Sequence, residues 1–181
     1  MCVLIKNKKP LVATEDITCY KTFRAKKDDK DDTEAYYPLW RVVKDFAYHI
    51  GEIKEEENIE ADIIECKFHP NLYETRTGFY SYKELNPGWI NHLYNLFNLF
   101  KNDNIQTFKC IIPKGSLYYS ETGSYGTELV SNKIMLKELV DKDTLRQIFI
   151  SNIKQMLSDN NDKPYVIIRC QEDDTKGGES N

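Results

Sequence analysis

Three short runs decide how this chain of 181 residues is read: Thr77-Gly78-Phe79-Tyr80-Ser81, then Cys110-Ile111-Ile112-Pro113-Lys114-Gly115-Ser116-Leu117-Tyr118-Tyr119, then Thr127-Glu128-Leu129-Val130-Ser131-Asn132-Lys133-Ile134. The first reads as a strand ending at a small polar residue. The second is a buried strand closed by a Pro-Lys-Gly turn, and the third is an acidic residue entering another strand. Between the first two, Asn86-Pro87 supplies an N-cap and a first helical residue. Trp89, Leu93, Leu96, Phe97 and Phe100 then share one stripe, which predicts a helix over 87–100 packed on a sheet.

Working outward, residues 2–6 are a short β-candidate. Residues 17–24 alternate, with Ile17, Cys19 and Phe23 on one face and Thr18, Tyr20, Thr22 and Arg24 on the other, the pattern of a half-buried strand. The Lys/Asp-rich stretch 25–34 reads as a solvated loop. Two apolar runs, 36–43 and 46–53, flank Lys44-Asp45 and predict a hairpin. The charged run 54–60 reads as a solvated loop or short helix. Further strands are expected over 63–68, 78–82, 108–112 and 128–139, with a mobile loop at 120–126 where two glycines fall. Asp141 is placed to cap a second helix whose Leu145, Ile148, Phe149, Ile153, Met156 and Leu157 face one way, Val140 and Leu145 forming a hydrophobic staple. Residues 165–170 read as a last strand. The segment 171–181 has no aliphatic or aromatic residue and is expected to be a disordered polar tail. The expectation is one globular domain, 1–170, of α+β class: a bent, mostly antiparallel sheet, single or split, carrying two main helices.

Composition narrows the function. Lys plus Arg number 25 against 29 Asp plus Glu, a net charge of −4, which argues against a general electrostatic grip on nucleic acid or an anionic membrane. Twelve Tyr and eight Phe beside eight Gly and six Pro mean that large aromatics build core and rim. The cysteines, Cys2, Cys19, Cys66, Cys110 and Cys170, are odd in number, far apart and without a C-x-x-C pair, so reduced thiols in the cytoplasm are expected. Val3-Leu4-Ile5 is too short for a signal-peptide core, and no run approaches a membrane span. Cys66 and His69 stand at i and i+3 of a strand and point to opposite faces, so no metal site is expected. His49 and His92 read as buried or rim histidines.

The order of the three runs resembles the second half of an ADP-ribosyltransferase catalytic domain. Their short motifs are also similar to those of a family of small phage and gut-bacterial proteins. The resemblance implies a phage-derived domain that binds NAD as substrate, either as a transferase or NAD glycohydrolase or as an inactive relative. It implies Glu128 as the catalytic carboxylate stabilising an oxocarbenium-like ribose, Lys21 of Tyr20-Lys21 as the cation for the dinucleotide, and Ser81, with Tyr80 beside it, as a wall of the pocket. Ile112-Pro113-Lys114-Gly115 matches the turn that precedes the family's last strand. Three departures accompany the match. Lys21 stands for Arg and loses bidentate geometry, which Arg24, on the opposite face of the same strand, would have to supply. Tyr80-Ser81-Tyr82 keeps one small hydroxyl residue where the family has two or three, and Gly126 replaces the second acidic residue that serves transfer to a protein arginine.

The residues leave a second reading open, a non-enzymatic protein-interaction module with an aromatic cleft near Phe79, Tyr80 and Tyr118. Geometry separates the two. NAD chemistry requires Lys21 or Arg24, Ser81 and Glu128 to line one cleft.

Overall fold

Period-2 alternation accounts for most of the secondary structure in the computed structural model, which describes residues 4–27, 34–39, 47–56, 59, 63–65, 67, 72–75, 77–123 and 126–159. In chain order the elements are β1 (Leu4–Ile5), β2 (Leu11–Val12), β3 (Ile17–Lys27), β4 (Glu34–Pro38), β5 (Ile53–Glu55), β6 (Ile63–Glu65), β7 (Tyr73–Thr75), β8 (Phe79–Tyr82), α1 (Pro87–Phe97), β9 (Ile105–Ile112), β10 (Leu117–Gly123), β11 (Gly126–Ser131), β12 (Lys133–Leu139) and α2 (Lys142–Asp159). The large sheet runs β2-β10-β11-β8-β3-β9-β12-β5, with β4 also paired to β3, and β1-β7-β6 form a second, three-stranded sheet. The named strand pairs are all antiparallel, and the class is α+β as expected.

The axis of the sheet is β3. One side pairs with β9 from Ile17↔Ile112 to Arg24↔Ile105. The other takes β8 at Tyr20↔Tyr82 and then β4 from Phe23↔Pro38 to Lys27↔Glu34, so the sheet forks along this strand. The solvated loop expected at 25–34 is therefore shorter. Ala25 to Lys27 and Glu34 belong to strands because backbone pairing satisfies the main chain while Lys26 and Lys27 keep their side chains in water. Residues 28–33 lie outside the described ones.

Connectivity forces the sheet to curl. Laid flat, β11 and β12 would stand four inter-strand spacings apart, about 19 Å. Only Asn132 separates Ser131 from Lys133, a span of at most about 7 Å. Asn132 holds the pinch: its N–H donates to Leu117 O at 3.0 Å and its Oδ1 accepts from Leu117 N at 2.8 Å. The long strand expected over 128–139 is thus two strands serving different neighbours. The concave face carries a core of Cys19, Phe23, Phe79, Phe108, Cys110, Ile112, Leu129, Ile134 and Leu136, capped by Tyr36 and Tyr48. The convex face carries the helices, through Tyr82, Trp89, Ile90, Leu93, Leu99, Ile105 and Leu145, and the small sheet, through Ile5, Ile59, Tyr119 and Val130.

Local signals place the helices. Asn86 Oδ1 accepts from Gly88 N at 2.8 Å and Pro87 opens α1. The helix stops three residues before the expected end because Asn98 turns left-handed, φ 53°, and gives its N–H to Tyr94 O. Asp141 caps α2 by accepting from Thr144 N at 2.9 Å, and Val140 and Leu145 share one apolar cluster as the staple requires. The loop expected at 120–126 is instead the end of a hairpin, β10 and β11 pairing out to Gly123↔Gly126. The hairpin expected between 36–43 and 46–53 survives at one point, the reciprocal Tyr36 and Tyr48 backbone bonds of 3.1 and 2.9 Å, because β4 spends its length on β3. Lys54 and Glu55 of the expected charged run 54–60 instead belong to β5 and pair with β12. The expected strand 165–170, the tail 171–181, Cys2, Cys66, His69, Lys44-Asp45 and the side chains of Leu96, Met156 and Leu157 lie outside the described residues.

Candidate functional site

Register decides which side chains can meet. On β3 and β9, Cys19 faces Cys110 and Lys21 faces Phe108. Tyr20↔Tyr82 sets Ser81 across from Lys21, and Ser81 in turn faces Leu129. Cys19, Lys21, Ser81, Cys110 and Leu129 therefore share the concave face. Glu128 faces Tyr82, one residue out of step, so it lies on the convex face with Tyr80 and Tyr20. Arg24 is also convex, but it stands four residues beyond Tyr20 on β3, about 13 Å along the strand. The cation and hydroxyl implied by the transferase resemblance come together; the carboxylate is on the other side of the sheet. Lys21, Ser81 and Glu128 line no common cleft.

The concave set is the more heavily desolvated. Lys21 is part-buried and its ammonium donates to Tyr80 O at 2.5 Å, 5.8 Å from the centre of the Phe23 ring. The β3–β8 register runs out after Tyr20↔Tyr82, and this ammonium takes the carbonyl at the fork. Burial pulls the Lys21 pKa down to about 8, partly offset by the thiols of Cys110 and Cys19. Among the described residues no carboxylate is paired with it. Ser81 is buried and its hydroxyl has no hydrogen-bond partner among the described residues. The Cys110 thiol holds Cys19 below its ordinary value, with Ser81 and Lys21 acting in the same direction against burial. Burial, followed by Cys19, pushes Cys110 well up.

On the convex face Glu128 is half-buried, and burial raises its carboxyl above the ordinary value. It crosses β10 closely: a Cβ on Gly123 would sit 3.0 Å from Glu128 Oε1. Its cross-strand neighbour is another acid, Glu121, which is taken by the Lys6 backbone N–H at 3.1 Å and ammonium at 3.5 Å. Tyr82 stacks on Trp89 with ring centres 4.6 Å apart. Tyr80, expected beside the dinucleotide, ties its hydroxyl to Thr75 of the small sheet.

The aromatic cleft of the second reading also divides. Phe79 is buried in the concave core and Tyr118 packs against that core, whereas Tyr80 is convex. What sequence reasoning missed is the pairing of Cys19 with Cys110. Both were legible as small core residues, but their meeting depends on a register set by strands 91 positions apart. Among the described residues no three His, Cys, Asp or Glu side chains converge to hold a metal ion, and no helix is long and apolar enough to cross a membrane. Compared with known protein families, curated proteins and solved structures, the chain matches none.

Proposed function

We propose that this chain is a non-enzymatic interaction module that takes an extended partner segment at the β5 end of its large sheet. The observation that carries this reading is where apolar surface remains. Among the described residues the exposed large apolar side chains are Leu11, Val12, Ile50, Ile53 and Leu139, each more than half exposed. They fall at the two ends of the sheet: Leu11 and Val12 make up β2, Ile53 lies in β5, Ile50 bridges to Leu136, and Leu139 closes β12. Edge strands present a row of unpaired backbone donors and acceptors, and apolar side chains beside them favour an added strand. The β2 end is guarded by Lys8, Lys9 and Pro10, residues that blunt an edge. At the β5 end, Glu52 pairs with Lys54 and Glu55 with Lys133, and Glu56 leaves an acidic balance of one charge that suits an apolar segment carrying Lys or Arg.

A displayed library of random extended peptides, selected on the intact protein, tests this. Apolar-basic peptides should be enriched, and both Ile50→Lys and Ile53→Lys should weaken the selected peptide at least about tenfold, the scale of one lost anchor. Binding indifferent to both substitutions overturns the reading. So does nicotinamide release from NAD by the parent that falls about a hundredfold in Glu128→Gln, the loss expected for an electrostatic stabiliser in a working transferase.

A further inference from the structure

The central strands hold a group that the interaction reading does not use. Cys19 and Cys110 are both free, fully buried and directly opposite on β3 and β9. The Cys110 thiol donates to Phe108 O at 3.7 Å, and the register sets the Cys19 thiol across from it. Lys21 lies two residues along on the same face, and Ser81 brings a buried hydroxyl with no full partner from β8. A structural pair of core cysteines needs neither an ammonium nor a hydroxyl beside it, and both are costly to desolvate. We propose that Cys19 and Cys110 are a modification site, a reversible dithiol–disulfide couple oxidised by a small hydroperoxide, with Lys21 as the residue that positions and stabilises the Cys19 thiolate.

The type of pairing makes the couple a switch and not a staple. Ala25 N–H donates to Asn104 O at 2.7 Å, and counting inward by twos makes Cys19↔Cys110 a hydrogen-bonded pair. Such pairs hold their Cβ atoms toward about 5.5 Å, whereas a relaxed disulfide needs about 3.8 Å. Oxidation must draw β3 and β9 together, and a bond formed under that constraint is readily reduced. Geometry orders the events. Cys110 keeps its proton on Phe108 O at 3.7 Å until the second step, and Cys19, two residues from the Lys21 ammonium on the same face of β3, is the attacking thiolate, the direction in which the two thiols are also displaced.

The chemistry balances. The Cys19 thiolate attacks one peroxide oxygen, an S–O bond forms, the O–O bond breaks, and the leaving oxygen takes up the proton that the Cys19 thiol released. Cys110 then attacks the sulfenic sulfur; an S–S bond forms and the hydroxyl departs as water with the Cys110 proton. Two thiols lose two electrons, and the hydroperoxide becomes an alcohol, or water when the oxidant is hydrogen peroxide, plus one further water. Lys21 is the member of the cluster that keeps some exposure, which sets the side from which a small oxidant arrives.

The test uses the full chain with its five cysteines. The folded protein is treated with equimolar hydrogen peroxide, quenched with N-ethylmaleimide, digested and mapped by mass spectrometry, with and without later dithiothreitol. A linked Cys19–Cys110 peptide that dithiothreitol releases is expected. In Cys110→Ser the reaction should stop at a Cys19 sulfenic acid trapped by dimedone. Lys21→Met should slow oxidation of Cys19 tenfold or more, and Lys21→Arg should restore most of the rate, which a merely structural lysine would not require. If Cys110→Ser fails to fold, the linkage map of the parent decides alone. Linkage among Cys2, Cys66 and Cys170 in preference to this pair, or Cys19 and Cys110 recovered as thiols after peroxide, overturns the proposal.

Discussion

The concave and convex faces of the large sheet are built from the same strands, alternate residue by alternate residue, and Lys21 and Glu128, read from the sequence as parts of a single site, fall on opposite faces. On the concave face Lys21 sits among Cys19, Cys110, Ser81 and Phe23, and its charge is disfavoured strongly enough to pull its pKa to about 8. On the convex face Glu128 is half in water beside Gly123 and Tyr82, and burial raises its carboxyl. The concave face has curled upon itself until its aromatic residues touch edge to face: Phe23 with Phe108 at 5.8 Å and Tyr36 with Phe108 at 4.5 Å between ring centres. The convex face is covered by separate elements, whose fit leaves Phe97, Phe100 and Phe149 part-exposed.

The sharpest way to break that contrast is to truncate one aromatic residue on each face. Phe108→Ala, in the closed core, should cost about 3–5 kcal/mol in urea unfolding, and Phe97→Ala less, about 2–3 kcal/mol, because part of its ring is already exposed. Equal losses would mean that the faces are equally packed.

A second comparison uses glycines where the curl is tightest and where it is open. Gly78, at φ +97°, leaves no room for a methyl group: a Cβ would lie 2.7 Å from Val130 Cγ1 and 3.1 Å from Ser131 O. Gly115, at φ +83°, has open space. Gly78→Ala should therefore cost about 3 kcal/mol, backbone strain plus displaced core, against about 1 kcal/mol of strain alone for Gly115→Ala. Thermal or urea unfolding of both checks this.

The third is a pH test of the concave face. Lys21 holds its proton less tightly in the folded chain, about 8, than at its ordinary value of 10.5. The unfolded chain therefore binds more protons between these values, so this residue's contribution to stability rises with pH across that window and is flat below it. Measured from pH 8 to 9.5, below the tyrosine range, the parent should gain about 1–2 kcal/mol relative to Lys21→Met. A difference that does not change with pH would place the ammonium in water.

The smallest effect belongs to Glu128. Its folded pKa is raised, so the folded chain binds more protons above pH 4.5. This group's contribution to stability falls as pH rises through that value and levels off above the folded one. Glu128→Gln should remove the fall, a gain at pH 7 of less than about 1 kcal/mol after solvent screening and none below pH 4. A loss of stability on this change would show a cation partner for the carboxylate.

Several of these contrasts were legible in the sequence. The alternation of Ile17, Cys19 and Phe23 announced the concave face of β3, and Asn86-Pro87 and Asp141 announced both helix starts, because these signals act within a few residues. The break at Asn132 was not legible. Residues 128–139 contain no Gly or Pro, and Ser131-Asn132 is a weak turn signal by itself; Asn132 interrupts the run through two bonds to Leu117, fifteen positions away. The hairpin at Gly123 and Gly126 was hidden for a related reason: its glycines lie at the ends of paired strands, where composition alone reads loop.

For this chain, then, local physics determined the α+β class, the capped starts of both helices and the strand character of its apolar runs, since each depends on neighbours within about one helical turn or a strand pleat. Tertiary structure alone decided that Lys21 and Ser81 meet Cys19 and Cys110, and that Glu128 turns away from them. Register carries that decision: with a side-chain period of two, the one step from Leu129, opposite Ser81, to Glu128 sends a side chain to the other face, and register is set by pairing between distant strands, not by the order of motifs along the chain.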